Sequence, residues 1–151
     1  MKRTRNLQLN QLDRKMAAFA SVSESPDKGW ISAIRTALGM SYRQLAKRLK
    51  IAPQSAQGFE KREIEGNITI KNLREVAKSL DMKLVYGFVP KSGSLERMIE
   101  NQAYAVARKI VMRTDTTMNL EDQGIAKERR DKAILEVAEE IKLKIPRYLW
   151  D

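Results

Sequence analysis

The run Met40-Ser41-Tyr42-Arg43-Gln44-Leu45-Ala46-Lys47-Arg48-Leu49-Lys50-Ile51-Ala52-Pro53-Gln54-Ser55-Ala56-Gln57-Gly58-Phe59-Glu60 spells two short helices separated by a tight turn. Ser41 and Gln44 have the spacing of a capping box, in which the hydroxyl accepts from a backbone N–H and the amide reaches back. The helix they open carries Leu45, Ala46 and Leu49 on one stripe and leaves Arg43, Lys47 and Lys50 on more exposed positions. Pro53 would break that helix but suits the first turn of a new one. The new helix, Pro53 to about Lys61, turns Ala56 and Phe59 inward and Gln54, Ser55, Gln57, Gly58 and Lys61 outward. Ala46 and Ala56 are small where the two helices must cross closely.

Working outward, Ser25-Pro26-Asp27 reads as a helix start, with Ser as N-cap, Pro at the first position, Ile31, Ile34 and Leu38 on one stripe and Gly39 as a stop. Downstream, Arg62 to Asn67 reads as a loop whose acids Glu63 and Glu65 limit any contact with phosphate. Thr69 then caps a helix with Leu73, Val76, Ala77 and Leu80 inward. A short helix, a tight turn and a third helix with a polar outer face make the helix-turn-helix plan.

Charge falls on the same block. The 151 residues hold 29 Lys and Arg against 19 Asp and Glu, a net of +10. Residues 28–62 carry eight bases against Glu60 alone, a net of +7, while residues 63–151 carry sixteen bases and fifteen acids. A local basic block is what a phosphate-binding surface requires, although a solvated face has the same composition. There is no Cys and no His, which removes disulfides, thiolate nucleophiles, zinc-thiolate sites and the commonest general base. A Ser/Lys pair or a carboxylate dyad has no identifiable motif here, so the expectation is a protein that is not an enzyme and needs no cofactor or metal. No apolar run approaches the roughly 18–20 residues that span a bilayer, and the expected location is cytoplasmic, with no membrane partner.

Residues 83–89, Lys-Leu-Val-Tyr-Gly-Phe-Val, are β-branched and aromatic and end at Pro90, which predicts one short strand. A lone strand needs a partner, supplied by antiparallel pairing across a two-fold or replaced by burial as an extended segment. Beyond Ser92-Gly93-Ser94, helical spacing of Leu95, Met98/Ile99, Ala103, Val106 and Ile110 predicts a helix through about Arg113. Asn119-Leu120-Glu121-Asp122 reads as the start of a last helix with Ile134, Val137/Ala138 and Ile141 inward and Pro146 beyond its end. Near the N-terminus, Leu9, Leu12, Met16 and Phe19 make a packed helix, and Lys2, Arg3 and Arg5 are alternatively a basic arm reaching DNA.

The run from Met40 to Glu60 resembles the Cro/repressor-type, Xre-like DNA-binding domain, over about residues 28–82. The resemblance implies that the helix opened by Pro53 enters the major groove. Pro53, Gln54, Gln57 and Gly58 then fall on base-reading positions, and Ser41, Tyr42, Arg43, Lys50, Ser55, Lys61 and Arg62 lie near phosphates. A Gln amide can pair bidentately with adenine, and the alternative for either Gln is an ordinary solvated position. Three departures stand out: Lys50 occupies a turn position usually held by glycine, Ala52 replaces a Ser or Thr cap, and Tyr42 stands where a phosphate-binding Gln is usual. The Tyr42 hydroxyl either donates the same bond or covers the core.

The segments "ALGMS", "QLAKRL", "VYGFVP", "NLEDQ" and "PRYLWD" together resemble the mobile mystery protein A family through nearly all of the chain. That resemblance implies a regulator encoded beside a Fic-domain protein. The family's histidine before Thr-Met is Thr116 here. Thr117-Met118-Asn119-Leu120-Glu121-Asp122 comes nearest to a Fic-inhibiting helix pattern but ends in Asp, and it also reads as a helix cap.

The expectation is therefore a mainly α fold, a Cro/repressor-like helix-turn-helix bundle with one short β-strand and a C-terminal helical extension. Its segments are an N-terminal helical arm at 1–24, the DNA-binding domain at 25–82, the strand at 83–90 and an extension at 91–151 serving a dimer or partner interface. The expected function is a sequence-specific repressor of double-stranded DNA, a homodimer autoregulating an operon with a Fic-domain toxin. The alternative is an antitoxin-like module that neutralises the toxin, with DNA binding secondary.

Overall fold

The computed structural model describes residues 2–22, 24–114 and 123–151. Its helices are α1 (Lys2–Ala17), α2 (Trp30–Ala37), α3 (Tyr42–Leu49), α4 (Pro53–Glu65), α5 (Ile70–Ser79), α6 (Leu95–Thr114) and α7 (Gln123–Lys144), followed by a 3-10 turn, Arg147–Trp150. The chain divides into two units, Val22–Gly87 and a second made of Met1–Ser21 with Phe88–Asp151.

In Val22–Gly87, helices α2 to α5 enclose Ile31, Leu45, Ala46, Ala56, Phe59, Val76 and Leu80, with Ile34, Met40, Leu49, Ile51, Ile68 and Leu73 packed around them. Ala46 and Ala56 are 1 % and 0 % exposed, so the crossing of α3 and α4 leaves no room for a larger side chain. Leu45 is fully buried, and its truncation to alanine should cost about 2–5 kcal/mol. Leu38, expected inward, is 56 % exposed at the C-cap of α2.

Ser25 and Pro26 do not open α2. The backbone turns first, Gly29 N–H donating to the Pro26 carbonyl at 2.8 Å, and the helix begins at Trp30. Its cap is the Glu63 carboxylate, which accepts from the N–H groups of Trp30 (3.0 Å) and Ile31 (2.8 Å). A carboxylate 33 positions away takes the role local sequence gave to Ser25. The loop expected over residues 62–67 is also largely helical, since α4 continues to Glu65 and stops at Gly66, whose φ is 76°.

No strand is present among the described residues, and the short β-strand expected at 83–89 is corrected to a segment without regular structure. Val85, Tyr86, Phe88 and Val89 are 65, 57, 78 and 50 % exposed. β-Propensity reports fitness for a half-buried pleated surface, and among the described residues no second segment supplies that surface.

In the other unit α6 and α7 pack along each other over Ala103, Ala107, Ile134, Ile141 and Leu149. Leu149, in the 3-10 turn, is fully buried, and its carbonyl accepts from Gln102 Nε2 at 2.8 Å. Lys142 donates to Glu100 at 2.6 Å, and this bond holds the Glu100 carboxyl below its ordinary range and raises the Lys142 ammonium. At the start of α6, Ser94 Oγ accepts from Arg97 N–H (3.1 Å), and Asp13 of α1 accepts from Leu95 N–H (2.7 Å) and Glu96 N–H (3.3 Å). The N-terminal segment is thus a helix tied through Asp13 to α6. The expected start of the last helix at Asn119, the Thr116 departure and the Thr117–Asp122 pattern lie outside the described residues.

Candidate nucleic-acid interface

The geometry starts from Ser41. Its hydroxyl accepts from Gln44 N–H at 3.2 Å and its own N–H donates to Gln44 Oε1 at 2.8 Å, closing the capping box that starts α3. The helix ends on Lys50 in the left-handed region (φ 57°, ψ 42°), its N–H reaching back to the Ala46 and Lys47 carbonyls. A side chain in that conformation costs on the order of 1 kcal/mol relative to glycine. Ala52 offers no side-chain cap to α4, and Pro53 at its first position starts the helix by its fixed φ instead.

Along α4, Ala56, Phe59 and Glu60 are buried, whereas Gln54, Ser55, Gln57 and Lys61 are exposed. The exposed polar side chains share the face opposite the core, and their amide and ammonium groups are open to a ligand. Gly58 is half-buried beneath Arg62, since a Cβ there would sit 3.3 Å from Arg62 Nη1. The Arg62 guanidinium in turn lies 5.0 Å from the Phe59 ring centroid, a cation–π seat that fixes it near the helix. Lys61 keeps only a 3.9 Å contact with Glu65 and stays 77 % exposed. Arg43 and Lys50 are exposed as well.

An open groove of about 1200 Å³ runs between α2 and α4. Lys28, Ser32 and Thr36 line one wall and Gln54, Gln57, Gly58 and Lys61 the other. Its floor is a charged cluster that sequence reasoning did not find. Glu60, 5 % exposed, accepts from Arg35 Nε at 2.5 Å and Nη2 at 3.4 Å and from the Tyr42 hydroxyl at 2.9 Å. Arg35 also donates from Nη1 to the Met40 carbonyl at 2.9 Å and stacks 4.0 Å from the Tyr42 ring centroid. The cluster ties α4 to α2 and to the start of α3.

The bond to Glu60 raises the Arg35 guanidinium above its ordinary value, and it raises the Tyr42 phenol too, with burial adding to the shift. Tyr42 therefore directs its proton at Glu60 rather than outward, which leaves its oxygen as an acceptor toward the groove. The cluster did leave a signal. Arg35 follows buried Ile31 by four positions and Glu60 follows buried Ala56 by four, so each helix carries one charge, of opposite sign, on its core-facing stripe.

Among the described residues no group of three or more acidic, His or Cys side chains is placed to hold a metal ion, and no helix is long and apolar enough to cross a membrane. Residues 31–86 match the helix-turn-helix family. They form an Xre-like helix-turn-helix domain, which suggests a DNA-binding transcriptional regulator. Among curated proteins and among solved structures, nothing matches the chain.

Proposed function

We propose that the protein is a sequence-specific repressor, reading DNA with α4 and acting as a homodimer on a pseudo-palindromic site. The observation that carries this reading is the exposed stripe Gln54, Ser55, Gln57 and Lys61, held on a helix anchored from behind by Ala56, Phe59 and Glu60. A buried anchor lets a short helix present its outer groups in fixed register, which base reading requires. Pro53, Gln54, Gln57 and Gly58 are assigned to base edges in the major groove of DNA. Ser41, Tyr42, Arg43, Lys50, Ser55, Lys61 and Arg62 are assigned to phosphates, Ser41 through its helix start and Tyr42 by turning its hydroxyl from Glu60 to donate. Two such helices would read half-sites about 34 Å apart.

The chain has no catalytic role in this reading and needs no cofactor. Its resemblance to mobile mystery protein A supports autoregulation of an operon that also encodes a Fic-domain protein. A second reading, in which the chain masks that protein as an antitoxin, draws on Leu135, Leu143 and Trp150, which are 59, 67 and 56 % exposed on the α6–α7 unit. Co-purification of the neighbouring gene product in the absence of DNA favours the second; its absence favours the first.

The test of base reading is a pair of substitutions. Gln54→Ala should relax discrimination at one base pair by about 1–3 kcal/mol, whereas Lys61→Ala should weaken all sequences together and shallow the salt slope by about one unit. Equal weakening of cognate and random duplex by Gln54→Ala would remove that residue from base reading.

A further inference from the structure

The α2 wall of the groove is lined by donors that the protein does not use itself. Ser32 and Thr36 stand about one turn apart on α2, Lys28 precedes the helix, and all three line the groove. A serine or threonine inside a helix commonly returns its hydroxyl to a carbonyl of the preceding turn. Ser79 does so to Val76 at 2.7 Å and Thr114 to Val111 at 2.8 Å. The Ser32 and Thr36 hydroxyls have no hydrogen-bond partner, and Lys28 no ion pair, among the described residues.

We infer that this wall is a phosphate track, in which Lys28, Ser32 and Thr36 hold the backbone of one DNA strand while α4, across the groove, reads bases. The inference rests on the DNA-binding reading of α4 and adds the path of the strand to it. The opposite wall carries Gln54, Gln57 and Lys61, so whatever occupies the base-reading face of α4 is flanked by α2.

The chemistry of the walls selects a phosphodiester. Hydroxyls and an ammonium donate to phosphate oxygens, and Lys28 and Lys61 place one positive charge on each side. The carboxylate beneath them, Glu60, is buried and paired with Arg35. Four residues advance about 6 Å along a helix, close to the step between successive phosphates of one strand. Ala33 and Ala37, each following one of the hydroxyl residues along the wall, are small and let a strand come close to the helix. Among the described residues Asp27 is the one groove acid without a partner, and it stands next to Lys28 in the chain.

Fluorescence anisotropy of the full-length protein with the duplex upstream of its own gene and with a random duplex, across a salt series, tests the track. Ser32→Ala combined with Thr36→Ala should weaken both duplexes equally, by at least about tenfold, with an unchanged salt slope, because a neutral donor releases no counterion. Alanine is a better helix former than either residue, so the variant should keep the helical spectrum. Lys28→Ala should shallow the slope by about 0.9 unit on both duplexes. Asp27→Asn should tighten both, and Ser79→Ala, whose hydroxyl is bonded within its own helix, should change neither. Lys61→Ala runs alongside as the α4 wall. If Lys61→Ala weakens binding and the α2 variants do not, the inference is overturned, the reading of α4 stands, and the α2 wall passes to another occupant such as an acidic peptide. If no variant of either wall changes binding, both fall. A weakening by the Ser32 and Thr36 pair confined to one duplex would also overturn the track, since a phosphate contact carries no sequence.

Discussion

Replacing Glu60 by alanine removes one of two carboxylates that tie α4 to α2, Glu63 being the other, and the one that also ties it to α3. The carboxylate accepts three bonds, from Arg35 at 2.5 and 3.4 Å and from Tyr42 at 2.9 Å, and the Glu60 and Arg35 side chains are 6 and 15 % exposed. Hydrogen bonds to a charged group contribute about 1.5–3 kcal/mol, and removing one member of a buried pair costs about 3–5 kcal/mol because its partner is left charged. Arg35 retains the Met40 carbonyl and the Tyr42 ring, which soften its loss. The low end of that range, about 3 kcal/mol, is the expected effect of Glu60→Ala. Urea unfolding read by far-ultraviolet dichroism should show a lower midpoint with an unchanged slope. Arg35→Met combined with Glu60→Leu, which leaves no unpaired charge, should recover at least about half of the loss. A Glu60→Ala loss below about 1 kcal/mol, or a double variant no more stable than the single one, would refute the view of this cluster as the anchor of α4.

Other expectations concern the backbone and the phenol. Gly29→Ala combines φ 81° with a Cβ 2.6 Å from Glu63 Oε1, and should destabilise by about 2 kcal/mol; Gly39→Ala, at φ 64° with nothing within 4 Å, should cost about 1 kcal/mol, and chemical denaturation of both separates crowding from conformation. Lys50→Gly removes a left-handed side chain and should stabilise by about 1 kcal/mol while lowering the salt slope of DNA binding by about one unit, measured by denaturation and by anisotropy. The Tyr42 phenol is raised above its ordinary 10.0 by its bond to Glu60, so the stability it contributes is fully present below pH about 10 and is lost as pH rises through the higher folded value. The ultraviolet difference titration between wild type and Tyr42→Phe should place that ionisation above 10.0, and a midpoint at or below it would contradict the bond.

What could be read in the sequence follows the range of the interactions involved. Ser41 and Gln44 cap α3 three residues apart, and Pro53 starts α4 by its own ring, so these features were visible in a window of a few residues. The apolar stripes of α3, α4 and α5 were visible for the same reason, since 3.6-residue spacing is local. The start of α2 was not, because Glu63 supplies its cap from across the unit and a local Ser-Pro pair gave a competing signal. The Arg35–Glu60 pair spans 25 positions and joins two helices whose packing is known only once the core is assembled. Residues 83–89 have the composition of a strand, but pairing is a property of two segments, and composition reports on one.

The central claim is sequence-specific binding of DNA through α4. Fluorescence anisotropy with the duplex upstream of the protein's own gene, against a random duplex of equal length and across a salt series, tests it most directly. Tight, salt-dependent binding with at least about a thousandfold preference for the upstream duplex is the predicted result. Equal, weak binding of both duplexes at every salt concentration would contradict the claim and reduce the basic block to a solvated surface.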